Sequence, residues 1–225
     1  LVGGTVNNIY GGSNQSGDIT TSTITVTGGT ATNVYGGNNL GGTTASSSIT
    51  VGGGTITNLY GGGNEATTGA TTINLNSGTV TNTYGGGNRA GVTTSTTINL
   101  AGSTCTDIYG GSNNSGNVPV SYITATSGSA SAIYGGNNIG GVTTTTNVDI
   151  SNITVGSVYG GGKQATTGTD NVTIRSGNIA NVYGGGESAS VNTSTTVNVL
   201  GGTITNLFGG SNTSGTVPES HVNVT

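Results

Sequence analysis

Only ten of the 225 residues carry a charge, three basic and seven acidic. A polysaccharide-cleaving site would need clustered carboxylates or a base poised in a groove. Asp18, Asp107, Asp149, Asp170 and Glu219 fall in different columns of the pattern described below, so no such cluster is expected. Calcium-binding repeats of the GGxGxD kind would place an Asp in every turn, and this chain does not. His221 stands alone, and a lone imidazole is a weak candidate for general acid–base work. Cys105 is the single cysteine, so no internal disulfide can form. It falls in a column of Val, Ile and Ala, and reads as a small buried apolar residue. The expectation is a protein that is not an enzyme and holds no cofactor or metal.

Two periodic features remain as candidate binding elements. The first is an aromatic followed by two glycines, at Tyr10, Tyr35, Tyr60, Tyr84, Tyr109, Tyr134, Tyr159, Tyr183 and Phe208. Rings one repeat apart could stack. The column is either a sugar- or surface-binding stripe or a ladder that fixes register, and its presence in every repeat favours the ladder. The second is a set of Thr-x-Thr pairs: Thr30 and Thr32, Thr55 and Thr57, Thr79 and Thr81, Thr104 and Thr106. Strand parity points both members outward, making a flat array of methyls and hydroxyls. Asn7, Ser129, Ser131, Gly156, Asn178 and Ala180 interrupt it elsewhere. The bland alternative is that Thr is a good exposed strand residue. Two charge pairs also share columns, Glu65 with Arg89 and Lys163 with Glu187. Each is expected to stack across neighbouring repeats as register control.

These side chains need elements that hold them in line, and the aromatic marker supplies the period. Its successive spacings are 25, 25, 24, 25, 25, 25, 24 and 25. The series repeats after four steps, 25 + 25 + 24 + 25 = 99, and loops 99 residues apart match, as GGSNQSG does GGSNNSG and GGSNTSG. A four-coil block has been duplicated. Each coil carries two strand signals, one typified by TSTITV (Thr21 to Val26) and one by TITNLY (Thr55 to Tyr60), both alternating polar and apolar residues. Four apolar columns per coil cannot form a core alone, but stacked coils make a continuous one. The chain is therefore expected to be all-β, a single parallel β-solenoid spanning 1–225, with nine coils of about 25 residues. Its rod length would be roughly 43 Å. Gly-Gly pairs on either side of the second strand are expected to form corners with positive φ. An Asn column through Asn8, Asn33, Asn58, Asn82, Asn181 and Asn206, with Asp107 in register, suits left-handed bends or amide bonds along the rod.

Composition excludes other classes. Clustered Lys and Arg for nucleic-acid phosphates are missing, and no apolar run reaches the roughly 18 residues of a membrane helix. Disorder would not keep apolar residues at fixed columns, and a chain with 46 glycines and many β-branched residues is a poor helix former. The GGTxTNxYGGGN unit followed by a TTxTxI strand resembles the Gly/Thr/Asn-rich YGG repeats of β-helical, adhesin-like cell-surface proteins of prokaryotes. That resemblance implies an extracellular structural or adhesive stalk, with a surface or a glycan as the class of ligand. The Thr-x-Thr array resembles, more weakly, the ice-binding face of β-solenoid antifreeze proteins. Leu1 and Val224 fall in the same column, without a cap at either end, so the rod is expected to continue into further repeats or to associate end to end with a second copy.

Overall fold

The computed structural model describes residues Leu1 to Thr225. The chain folds into fourteen strands and no helix: β1 (Thr5–Tyr10), β2 (Ile19–Val26), β3 (Thr30–Tyr35), β4 (Thr44–Tyr60), β5 (Thr68–Tyr84), β6 (Val92–Tyr109), β7 (Val118–Tyr134), β8 (Thr143–Ile150), β9 (Thr154–Tyr159), β10 (Thr167–Ile174), β11 (Asn178–Tyr183), β12 (Val191–Val199), β13 (Thr203–Phe208) and β14 (Glu219–Val224). Every pairing between them is parallel. It is the β-solenoid that the 25-residue spacing predicts.

Two faces run the length of the rod. On the first, β2 pairs with the opening half of β4, and the series continues through β5, β6, β7, β8, β10, β12 and β14. On the second, β1, β3, the closing halves of β4 to β7, then β9, β11 and β13 stack in turn. In the four central coils one long strand turns the corner between the faces. The loops stack as well, since Asn64 N donates to Asn38 O and Asn88 N to Gly63 O. Stacking coil on coil satisfies backbone groups that a lone coil would leave open.

Alternation along each strand sends one set of side chains inward, where 30 buried residues form a single cluster. Ile49, Ile73, Ile98 and Ile123 pair in register on the first face, and Ile56 lies over Val80 on the second. β-branched side chains fit this site because each packs flat on its equivalent one coil away. The tyrosines form a second, separate buried cluster.

The two glycine corners work differently. Gly29 and Gly54, before the second strand, have φ of 77° and 82°, a conformation that favours glycine. The pair after the aromatic does not take positive φ, contrary to expectation. Its constraint is space: a Cβ on Gly36 would collide with the carbonyl oxygen of Gly61 in the next coil. The asparagine column also departs from the left-handed reading, since Asn152 is the one non-glycine residue with positive φ, at 51°.

That glycine bend leaves a carbonyl with no backbone donor, and a buried column on the first face caps it. Ser47, Thr71, Thr96, Ser121, Thr146 and Thr195 donate their hydroxyls to the carbonyls of Gly61, Gly85, Gly110, Gly135, Gly160 and Gly209, each 14 residues on, at 2.5–2.6 Å. Small hydroxyl residues recur there because a buried carbonyl without a partner costs about 1–3 kcal/mol.

Candidate functional site

The threonine array lies where parity puts it. Thr30, Thr55, Thr79 and Thr104 are direct partners in successive strands of the second face. Thr32, Thr57, Thr81 and Thr106 stand two residues further along the same strands, and all eight side chains are exposed. Farther along, Gly156 and Ala180 replace the second column and leave a shallow depression of about 340 Å³ bounded by Thr154, Asn178, Thr203 and Thr205. The face is therefore a flat Thr grid in one half of the rod and a dented one in the other.

The aromatic column is buried in a cluster of its own, apart from the main core. Successive rings stack at centroid separations of 4.6–5.0 Å and interplanar angles of 3–10°. Those separations exceed the contact distance of about 3.5–4 Å between carbons, so the rings are slipped relative to one another. From Tyr35 to Tyr159 they are buried, and each ring face is occupied by the next ring. Burial pushes the Tyr35, Tyr60 and Tyr84 hydroxyls up to about 12.

Two amide ladders flank this stack. In one, Asn33, Asn58 and Asn82 each donate to the Asn one coil before, at 2.8–3.0 Å, and Asn206 donates to Asn181 at 3.0 Å. The other went unrecognised in the sequence: Asn39, Asn64, Asn88, Asn113 and Asn138 donate in series, beginning at Asn14, at 2.8–3.0 Å. The signal was present, because every one of these residues lies four positions after its tyrosine.

Both ladders break, the first over Asp107, Ala132 and Ser157 and the second over Lys163 and Glu187, and each break contains charge. Asp107 takes an Asn place in the first ladder, and Lys163 and Glu187 take Asn places in the second. The tyrosine hydroxyls reach the second ladder two coils on, so these groups converge. Tyr109 donates to Asp107 at 3.2 Å, while Lys163 Nζ lies 3.5 Å from the Tyr109 hydroxyl and 3.9 Å from Asp107. Lys163 also sits 5.6 Å from the centre of the Tyr134 ring, and Tyr134 donates to Glu187 at 2.7 Å. Burial, then the adjacent carboxylates, hold the Tyr109 and Tyr134 hydroxyls far above their ordinary value.

Of the two expected charge pairs, the structure makes one. Arg89 meets Glu65 at 3.0 Å on the surface. Lys163 and Glu187 share a column but do not pair with each other. Both turn toward the tyrosine edge, where a phenol and Asp107 are better partners for partly buried charges than solvent is. A bidentate pair not expected from the sequence joins Arg175 to Asp149 at 2.8–3.0 Å. His221 is not alone, since its Nε2 lies 3.0 Å from Glu219 on an exposed strand. Cys105 is buried in the core, where burial pushes its thiol up to about 12 and leaves it a packing residue.

No group of three or more His, Cys, Asp or Glu side chains is arranged to hold a metal, and no helix is long and apolar enough to cross a membrane. No family model, curated protein or solved structure matches the chain.

Proposed function

We propose that the chain is a structural or adhesive rod of a cell surface. The observation that carries this reading is the continuity of its columns. The tyrosine stack and the apolar core run in register from coil to coil. The charged groups that meet are spent on one another or on tyrosine hydroxyls. An assembly of this kind gains stability with each added coil, because each coil adds another interface with its neighbour. The resemblance to YGG-repeat adhesin-like proteins supports the surface location. A further coil, from the same chain or a second copy, would fit the open strand edges by parallel pairing. Antibodies raised against the folded chain should label intact cells of the producing organism. Labelling that appears only after permeabilisation overturns the reading.

A second reading rests on the grid of eight exposed threonines, whose rows repeat with the strand spacing of about 4.8 Å. This regularity suits ice binding. The purified chain would then show thermal hysteresis, and Thr57→Tyr and Thr81→Tyr would remove it while leaving the fold intact. Absence of hysteresis and of ice-recrystallisation inhibition in the parent chain rules this second reading out.

A further inference from the structure

The column of hydroxyl caps has one member that is not a hydroxyl. At the place held by Thr146 in one coil and Thr195 two coils on stands Asp170, fully buried. It pairs with both in the register of the first face. A carboxylate there has no hydrogen to give to Gly184, the carbonyl that a Thr would cap. Gly184 O receives no backbone donor either.

Counting hydrogens around Asp170 fixes its state. Thr146 Oγ1 lies 2.6 Å from Gly160 O and 3.0 Å from Asp170 Oδ1. A hydroxyl has one hydrogen and a carbonyl has none. The shorter contact takes the hydrogen, because Gly160 O can only accept and has no other donor. The contact between Thr146 Oγ1 and Asp170 Oδ1 is then a hydrogen bond only when Asp170 carries the proton. The other carboxyl oxygen, Oδ2, accepts from Thr167 at 2.8 Å. We infer that Asp170 is a neutral carboxylic acid in the folded rod, and that its ionisation loosens the stacking of β8, β10 and β12, making this coil a proton-sensitive joint.

The surroundings agree. No charged side chain faces Asp170 from any packed element: β8 presents Thr146, β12 presents Thr195, and the glycine bends present backbone. Asp149 on β8 and Arg175 after β10 pair with each other on the exposed side. Burial raises the Asp170 carboxyl from 3.8 to about 7, against the lowering effect of the hydrogen bond from Thr167. The folded state thus holds a proton that the unfolded state releases near pH 4. The stabilisation is complete below about pH 4 and is lost as pH rises toward and through 7.

The test is a thermal-unfolding series of the whole chain from pH 4 to 8, comparing the parent with Asp170→Asn and Asp170→Thr. Asn is neutral at every pH, and Thr restores the hydroxyl used in the other coils. The midpoint of the parent, measured relative to either variant, should fall across this range. Infrared difference spectra of the parent minus Asp170→Thr at pH 5 should contain a protonated carboxyl band. A midpoint difference that is constant with pH, or a carboxylate band at pH 5, overturns the inference. Should Asp170→Asn fail to fold, the Thr variant and the spectrum still decide.

Discussion

Coils 99 residues apart occupy equivalent places in the two blocks, yet they use their polar residues differently. In the first block Asn64 and Asn88 keep the amide ladder intact, and the charges Glu65 and Arg89 stand one position further out, exposed. In the second block the charges move one position inward, to Lys163 and Glu187, and join the tyrosine hydroxyls. The first block carries Thr57 and Thr81 on the outer face, where the second has Gly156 and Ala180. Thr71 caps a carbonyl in the first block, and Asp170 fills its place in the second. The core columns differ far less, Thr83 against Val182 being a polar exception. A packed interior accepts only shape-compatible apolar residues, whereas a hydrogen-bonded column accepts any side chain that closes its partners.

The sharpest test of that contrast is in the core itself. Leu75 and Ile174 are block equivalents, both fully buried. Replacing either by Ala should cost about 2–5 kcal/mol by chemical denaturation, with similar losses at the two sites. A biphasic transition in one variant alone would mean that the blocks unfold as separate units and that one depends more on its neighbour.

The next effect moves a property from one block to the other. Thr71→Asp should import into the first block the pH dependence inferred for Asp170. A carboxyl raised as far as that of Asp170, from 3.8 to about 7, is worth on the order of 4 kcal/mol at most. The sign follows from the raised value: the variant should be most stable near pH 4 and lose stability as pH rises toward 7. Unfolding free energies at pH 4.5 and 7.5 check this, and equal values at the two pHs would break the equivalence of the sites.

A smaller, opposite effect is expected at Thr83. Its hydroxyl is buried with no hydrogen-bond partner, in a column that is otherwise apolar and holds Val182 at the equivalent place of the second block. Thr83→Val keeps the shape and removes an unmet hydroxyl, so stability should rise by about 1–2 kcal/mol. A loss on denaturation would mean that the hydroxyl has a partner in solution.

These sites also mark how far the sequence could be read. The fold was legible because its signals are periodic: Ile24, Ile49 and Ile73 announce an inward column, and Tyr10, Tyr35 and Tyr60 fix the coil length. The Thr grid followed from parity for the same reason. What escaped depends on reach rather than period. Lys163 has a stem long enough to leave its column and find Tyr109 two coils away, so sharing a column with Glu187 did not determine its partner. Arg175 reaches Asp149 at a separation of 26 residues, two past Thr173, the register partner of Asp149. The hydroxyl caps link residues 14 apart across the rod, a distance set by its cross-section and invisible in the 25-residue pattern.

The smallest expected effect separates the two kinds of charge placement. Arg89 and Glu65 are 63% and 41% exposed, so water and salt compete for both. An exposed pair contributes about 0–1 kcal/mol, and Glu65→Gln should lie in that range and shrink further in high salt. Glu187→Gln acts on a half-buried group that accepts from Tyr134. The amide oxygen can still accept, but the charge-assisted bond becomes an ordinary one of roughly half the strength. Its loss should exceed that of Glu65→Gln and resist salt, because Glu187 is half-buried and Tyr134 buried, and buried charges are screened less. Denaturation of both variants at low and high salt makes the comparison. Equal losses with equal salt dependence would place Glu187 in solvent and remove the distinction between an outward pair and an inward one.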